Sequence, residues 1–590
     1  MTNVDVTVPV LIVGGGGAGL TASMLLSTLG VESLLVNARP TTSTLPKAHV
    51  LNLRSMEVLR DVGVADRITA VGTPPQNMAA SAWYVGLAGP QPEHGRRLAK
   101  IESWGAGGAS AEWLAASPMV QANLPQIRLE PLLRERAEEL APGAVRFHHE
   151  VVSLEQDDDG VTATVLDHDT DTTYVVRALY ALACDAGRTV GPSLGVELEG
   201  LREVVRMVSV HITADLSPWA TAPDVLIRWL INPDRGRGAV LVPMGPTRWG
   251  PDSEEWVFHQ QYAPDDESAL DDDTVIADLR ATLGIGHHPV DVHIITRWWI
   301  EGIVANKFQA ARVFICGDAA HRHPPTGGLG LTSAIHDVQN LTWKLAAVLG
   351  GHAGSELLTT YEAERRPVDA MNVQRSVENA INHLMASPQL GANPEASPEE
   401  NWATLRRFLA DDPGDAGYRR EATRALLSQS MEFDELNIEH GYVYDSSAVV
   451  PDGSPAPENP DPVRIYLPSA RPGHPLPHAW LSDWDGSRLP LLDLVRPGRF
   501  LLIAGEDGRS WVEAAKSIAS ETGLPLDAVR IGHVEGDYLD PRSSCVRQRG
   551  VSAAGAVLVR PDRFVAWRSG DAVDDARSVL AGALTAILGR

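Results

Sequence analysis

Cysteine is scarce: Cys184, Cys316 and Cys545 are the only three in 590 residues, far apart and outside any CxxC. That excludes a disulfide framework and a thiolate zinc site, and a reducing, cytoplasmic setting is expected. No run of about 18 apolar residues occurs, so nothing reads as a membrane span. The N-terminal stretch has neither the basic segment nor the long apolar run of a secretory leader. Basic residues are outnumbered, 50 against 76 acidic, giving a formal net charge of −26. That balance argues against nucleic acid or an anionic membrane as partner. Lysine is rarest of all, at Lys47, Lys100, Lys307, Lys344 and Lys516. The acidic excess gathers in runs such as Asp157-Asp158-Asp159 and Asp271-Asp272-Asp273, which read as solvated turns, so no metal site is expected. What remains is 44% hydrophobic and 21% charged, a globular composition long enough for about two to four domains.

The densest signal lies at residues 312–330. Val313-Phe-Ile-Cys316 is a short apolar run, the mark of a strand buried on both faces. Gly317-Asp318 ends it with a carboxylate at the carboxyl edge, where open α/β sheets hold ligands. Pro324-Pro325 and the glycines up to Gly328 and Gly330 form a stiff loop that bars helix until about Leu331. From there Leu331, Ile335, Val338, Leu341, Leu345 and Val348 recur at helical spacing. The free amides at that helix start favour an electron-rich group, such as a ring that becomes anionic on reduction.

A second signal opens the chain. Val8–Val13 reads as a buried strand, followed by Gly14, Gly16 and Gly19 in GxGxxG spacing and a helix over 20–29. Such glycines turn the chain, admit a pyrophosphate and let helix pack on strand. A strand over 31–36 ends at Asn37, where an acid for a ribose is the usual residue. Asn hydrogen-bonds hydroxyls without the strength of a charge.

These segments resemble the two flavin-binding motifs of the FAD-dependent aromatic hydroxylases (class A flavoprotein monooxygenases), nearest the dichlorophenol and hydroxybiphenyl monooxygenase group. The resemblance implies tight, non-covalent FAD held by Gly14, Gly16, Gly19, Asn37, Gly317, Asp318, Pro325, Gly328, Gly330, Leu331 and Thr332. Pro46-Lys47-Ala-His49 through Asn52-Leu-Arg54-Ser-Met-Glu57 resembles the family segment beside the flavin and adds Lys47 and Arg54. Leu124-Pro-Gln126 adds Gln126, and Cys184-Asp185-Ala186-Gly187 adds Asp185, with Ala183 and Ala186 standing where the family has glycines. His49 is the one mid-pKa group of its segment and reads either as a base near the substrate or as a hydrogen-bonded structural histidine. Trp229, in Asp224–Trp229, is expected to wall a flat aromatic pocket, and Trp229 and Pro325 join His49 as the candidate catalytic residues.

The expected fold is α/β (α+β overall). A Rossmann-like FAD-binding domain spans 1–190 and 300–370, with an antiparallel β-sheet substrate domain at 191–299 inserted. A helical segment at 371–448, a Pro-rich linker at 449–462 and a thioredoxin-like domain at 463–590 without CxxC follow. The implied function is a single-component monooxygenase using NAD(P)H as transient co-substrate and O2 to hydroxylate a small phenolic ring through a flavin C4a-hydroperoxide, as a homodimer or other homo-oligomer. Two rivals stay open. One is a polyketide-tailoring hydroxylase or Baeyer–Villiger enzyme; the other is a non-catalytic or oxidase-like FAD-binding protein.

Overall fold

The computed structural model of the protein describes residues 4–590. Its first sheet runs, edge to edge, Gln309–Ala310, Val313–Ile315, Thr172–Ala183, Val6–Val13, Ser33–Asn37 and Val145–Phe147. Four of the five pairings in this order are parallel, all but that of Gln309–Ala310, as expected for apolar runs covered on both faces. The hairpin His149–Asp157 and Gly160–Asp167 extends it through Thr172–Ala183. Helix Gly17–Thr28 starts inside the glycine motif, ahead of the expected Leu20. Helix Leu329–Leu349 likewise starts just ahead of Leu331.

The second sheet has eight strands in the order His321–Arg322, Asp291–Ala305, Leu198–Thr213, Glu255–Tyr262, Arg237–Gly245, Val225–Asn232, Ala80–Val85 and Arg97–Glu102. The sequence assigns 80–102 to the cofactor domain, yet both of its strands join this sheet, Ala80–Val85 lying parallel to Val225–Asn232. Val208, Val210, Leu230, Leu241 and Phe258 turn one face toward helix Asp272–Leu283 and its Val275 and Leu279. The alternate residues form the face that matters for function. Helix Glu356–Ala386 runs unbroken through Pro367 and across the boundary set at 370. Proline removes one amide from the ladder, while Arg365, Asp369 and Arg375 fix the helix by buried ion pairs.

The third sheet orders Arg488–Pro490, Trp480–Ser482, Tyr538–Leu539, Leu526–Gly532, Phe500–Ala504, Ala556–Val559 and Val565–Ser569. Helices Arg509–Thr522 and Ala576–Ile587 cover one face, giving the thioredoxin-like layering, and Cys545 is buried on the other. This domain is not hung on a free tether. The stretch 449–462 has no regular element but is tied down by Val450 N donating to Ala566 O and by Asp452 pairing with Arg568 at 2.5 Å. Trp343 and Leu357 of the cofactor half lie in the same core as Phe500, Trp511 and Leu584. Helix Leu53–Asp61 is held at its far end as well, Arg60 pairing with Asp493 at 2.6 Å and Asp61 with Arg563 at 2.7 Å.

Deepest in this junction is Glu364, whose side chain is fully buried. Its oxygens accept from Arg560 Nη1 and Nη2 at 2.5 and 2.9 Å, Lys344 Nζ at 2.7 Å, Asn340 Nδ2 at 2.7 Å and Ser446 Oγ at 2.6 Å. Glu364→Ala leaves two buried cations short of a carboxylate and is expected to cost about 3–5 kcal/mol. Denaturation followed by far-UV circular dichroism measures it, and a midpoint equal to wild type would show that the junction does not depend on Glu364.

Candidate functional site

The two glycine motifs meet at the carboxyl edge of the first sheet, where Val13, Ala183 and Ile315 stand in register. Gly14 sits at φ +113°, and a Cβ there would lie 2.2 Å from Cys184 O. A Cβ on Gly19 would lie 1.9 Å from Gly14 O. Gly16 differs: a Cβ there would meet Glu130 Oε1 at an ordinary 3.6 Å. The chain itself therefore does not demand glycine at 16, which fits a position kept bare for a close ligand. Gly17 packs on Leu331, where a Cβ would come within 2.6 Å of Cδ1. Gly317, at φ +61°, fits between Ala18 and Ala334, each 3.2 Å from a built Cβ. Helices Gly17–Thr28 and Leu329–Leu349 thus begin side by side, both capped by glycines without a side-chain acceptor. Two sets of free amides and two positive helix ends converge on one place.

Asp318 stands there exposed. Among the described residues its backbone carbonyl is engaged, by Arg322 Nε at 3.3 Å, and its carboxylate is not. Beneath it lies a cluster of charges with fully buried side chains. Asp337 Oδ2 accepts from Gly317 N at 3.0 Å and pairs with His321 Nε2 at 2.9 Å. Arg365 reaches Asp337 Oδ1 at 2.9 Å and Asp369 Oδ1 at 2.6 Å. Burial opposes the charge on His321, but the carboxylates of Asp369 and Asp337 outweigh it and hold its pKa at about 9. His321, Asp337 and Asp369 have the proximity of metal ligands, but the Arg365 guanidinium already balances the two carboxylates. The other such group, His211, Glu255 and His293, likewise has Arg128 on Glu255 at 2.5 Å.

One face of the second sheet carries a row of aromatic and polar side chains. Trp83, Trp229, Val240, His259 and Ser209 are paired in sequence across the second sheet and form one row. The Trp83 and Trp229 rings stack at 6.0 Å, and His383 stacks on Trp229 at 3.8 Å. Trp229 Nε1 is buried without a hydrogen-bond partner. Facing the row is His49, followed by Val50, which belongs to the same apolar cluster as Trp83 and Val257. Val50 Cβ lies 3.5 Å from a Cβ built on Gly328, so the His49 segment is wedged between cofactor loop and sheet.

Asn123 Nδ2 donates to Thr73 Oγ1 at 2.6 Å, which leaves Oδ1 to face His49 Nδ1 at 2.5 Å. An amide oxygen only accepts, so His49 carries its proton on Nδ1 and presents a lone pair at Nε2. Burial lowers its pKa, partly offset by the Asn123 hydrogen bond, so the neutral form dominates at neutral pH.

The remaining expected residues divide. Pro325 is exposed at the loop, and Gly330 borders His323. Lys47 is exposed just before the His49 wedge. Thr332 is buried, its hydroxyl bonded back to Leu329 O at 2.9 Å. Gln126 pairs with Glu130 at 2.5 Å, beside Gly16. Asn37 holds the loop itself, its Oδ1 accepting from Gly15 N at 3.0 Å.

Two of the expected residues are engaged within the chain. Arg54 is buried under the rings of Tyr442 and Phe564 and donates to His440 O at 3.2 Å. Asp185 spends both oxygens on the amides of Gly187, Thr189 and Val190 at 3.1, 2.8 and 2.9 Å, so it shapes its own turn.

Asn123, His259, His321 and Asp337 were assigned no role from the sequence. The one local signal was Asp337, an acid set among apolar positions of a core-facing helix.

The bare Gly16, the unengaged Asp318 carboxylate and the paired helix starts fit FAD. The family described as FAD binding domain matches residues 7–376, and the aromatic-ring hydroxylase C-terminal family matches 469–590. The chain is 35% identical to a 2,4-dichlorophenol 6-monooxygenase of Delftia acidovorans over 95% of its own length and 94% of the relative's. It is 35% identical to a tetracenomycin B2 monooxygenase-dioxygenase of Streptomyces olivaceus over 99% of each. The crystal structure of the flavin-dependent monooxygenase PieE with FAD and substrate superposes with a TM-score of 0.92 at 38% identity over 100% of both chains.

A charged hydrogen bond contributes about 1.5–3 kcal/mol. Asp318→Ala is therefore expected to bind FAD about ten- to hundredfold more weakly, read from flavin absorbance during dialysis. Retention equal to wild type would remove Asp318 from the site.

Proposed function

The chain belongs to the FAD-dependent aromatic-ring hydroxylases, and on that premise we propose that it hydroxylates a phenolic ring lying between the cofactor loop and the Trp83–Ser209 row, with His49 as the base. The observation that carries the reading is the fixed tautomer of His49. Its Nε2 is a neutral acceptor, its Nδ1 backed by Asn123 and Thr73, and the next residue, Val50, packs on Gly328 of the cofactor loop. When bound, FAD supplies electron transfer from NAD(P)H and the activation of O2.

The chain's own residues do the rest. Trp83 and Trp229 offer flat apolar contact to a ring. His49 Nε2 takes the phenolic proton and raises the electron density of the ring, since phenols titrate near 10, as tyrosine does. Val50 and the buried loop residues keep water from the space between the walls. A polyketide-derived, multi-ring phenol is the second reading, favoured by the match to the tetracenomycin enzyme and by a 33% match to a putative polyketide hydroxylase of Streptomyces halstedii over 98% of this chain. NAD(P)H oxidation and product mass across single-ring and fused-ring phenols separate the two.

General-base catalysis contributes about 10²–10⁴-fold. His49→Ala should slow single-turnover hydroxylation by that order while leaving FAD content unchanged. The lowered pKa of His49 sets the acid limb of the wild-type rate below its ordinary 6.5, because only the neutral ring accepts a proton. The variant should lose that limb; identical profiles would exclude His49 as the base.

A further inference from the structure

We propose that His259 is a second side chain that binds the substrate's phenolic oxygen, donating a hydrogen bond from Nε2 to the oxygen whose proton His49 removes. The inference rests on the phenol-hydroxylase reading of the site. It follows from hydrogen-bond polarity along a chain of three side chains. Trp298 Nε1, which can only donate, reaches Ser209 Oγ at 2.8 Å. Ser209 Oγ lies 2.7 Å from His259 Nδ1. With the indole donating to it, the nearly buried Ser209 hydroxyl directs its own proton to the acceptor available, His259 Nδ1. A neutral histidine that accepts at Nδ1 carries its proton on Nε2.

The ring is neutral. Burial pushes its pKa down to about 4, and Val50, next to His49 in the chain, packs in one cluster with Val257, two residues before His259 on the same face of its strand. Trp298 and Ser209 are neutral. The charged groups on this sheet face, Glu255 with Arg128 and the adjoining His211, neutralise one another, Glu255 four residues from His259 along its strand and His211 two from Ser209.

The two histidines therefore present opposite polarities to the same space. His49, pinned by Asn123, shows a lone pair; His259, pinned by Ser209, shows an N–H. One without the other is a poor match for a phenol. A lone acceptor draws the proton but leaves the oxyanion bare, and a lone donor binds the oxygen without taking the proton. Together they bracket a hydroxyl that must become an oxyanion. In the step, the phenolic O–H bond breaks, the proton goes to His49 Nε2, and the electron pair stays on oxygen, where it accepts from His259 Nε2–H. His259 itself neither gains nor loses a proton. After ring hydroxylation the imidazolium of His49 returns the proton to the product oxygen.

The arrangement is also one that a single charged residue could not replace. A lysine or arginine in place of His259 would stabilise the oxyanion more strongly, yet it would bring a buried charge without a counter-ion into the pocket. A neutral donor held by a serine avoids that cost and stays a donor at every pH above its low pKa.

The test uses the FAD-loaded enzyme with histidines labelled in ¹⁵N and long-range ¹H–¹⁵N spectra at pH 7.5, assigned by loss of signals in His49→Gln and His259→Gln. His49 is expected as the Nδ1–H tautomer and His259 as the Nε2–H tautomer; an Nδ1–H tautomer at His259 overturns the proposal. A second arm titrates 4-nitrophenol bound to the oxidised enzyme, without NAD(P)H, by its absorbance. His259→Phe should raise the bound phenol's pKa by about one unit, a tenfold change in ionisation constant, and His259→Gln, which keeps an N–H donor, should restore most of it. An unchanged pKa in the phenylalanine variant refutes the role of His259 while leaving the phenol reading standing. If neither 4-nitrophenol nor unsubstituted phenol binds wild-type enzyme, the phenol reading fails and this assignment falls with it.

Discussion

The carboxylate of Asp337 accepts from the Gly317 amide, His321 and Arg365 in a place where water does not reach. Taking a carboxylate out of water costs several kcal/mol, and only complete pairing offsets it. The position of the cofactor loop follows from that requirement. Asp337 belongs to helix Leu329–Leu349, Gly317 and His321 to the strand end and loop before it, and Arg365 to helix Glu356–Ala386. Any displacement of one strips a partner from a buried charge. The loop carrying Asp318, Pro325 and Gly328 is held at its base by this cluster and at its far end by helix Leu329–Leu349 itself. Both anchors belong to the fold itself, which is what a site that must aim a flat ring needs.

The parts legible in the sequence are those fixed by neighbours in the chain. GxGxxG gives strand, turn and helix within about fourteen residues of local rule, and Gly317-Asp318 ends an apolar strand visibly. The strands of residues 198–305 alternate as a half-covered sheet should. What stayed hidden is non-local. Ala80–Val85 looks like part of the first domain until its parallel pairing with Val225–Asn232 is seen. Arg54 lies in a segment that resembles a flavin neighbour, yet Tyr442 and Phe564 cover it from far along the chain. Asp185 keeps the place of a familiar acid but turns its oxygens on its own backbone.

His49 and His259 show the same divide inside the pocket. The first could be suspected because it is the mid-pKa side chain in a recognisable segment. The second sits in Trp256-Val-Phe-His259, a strand pattern in which a histidine carries no message. Only the cross-strand register that sets it beside Ser209 and in line with Trp229 gives it a position. The protonation pattern of both rings is still less local. It depends on Thr73 and Asn123 in one case and on Trp298 and Ser209 in the other.

Helix Leu53–Asp61 begins four residues after His49 and is gripped by the third domain three times, through Arg54 under Phe564, Arg60 on Asp493 and Asp61 on Arg563. A domain with no cofactor motif thus fixes the element from which the proposed base is suspended. Coupling of this kind works in both directions with equal strength. Whatever stabilises the His49 segment in place must also stabilise the docked turn at Phe564, and weakening that turn must weaken the hold on the imidazole. The thioredoxin-like domain serves as a splint for the pocket.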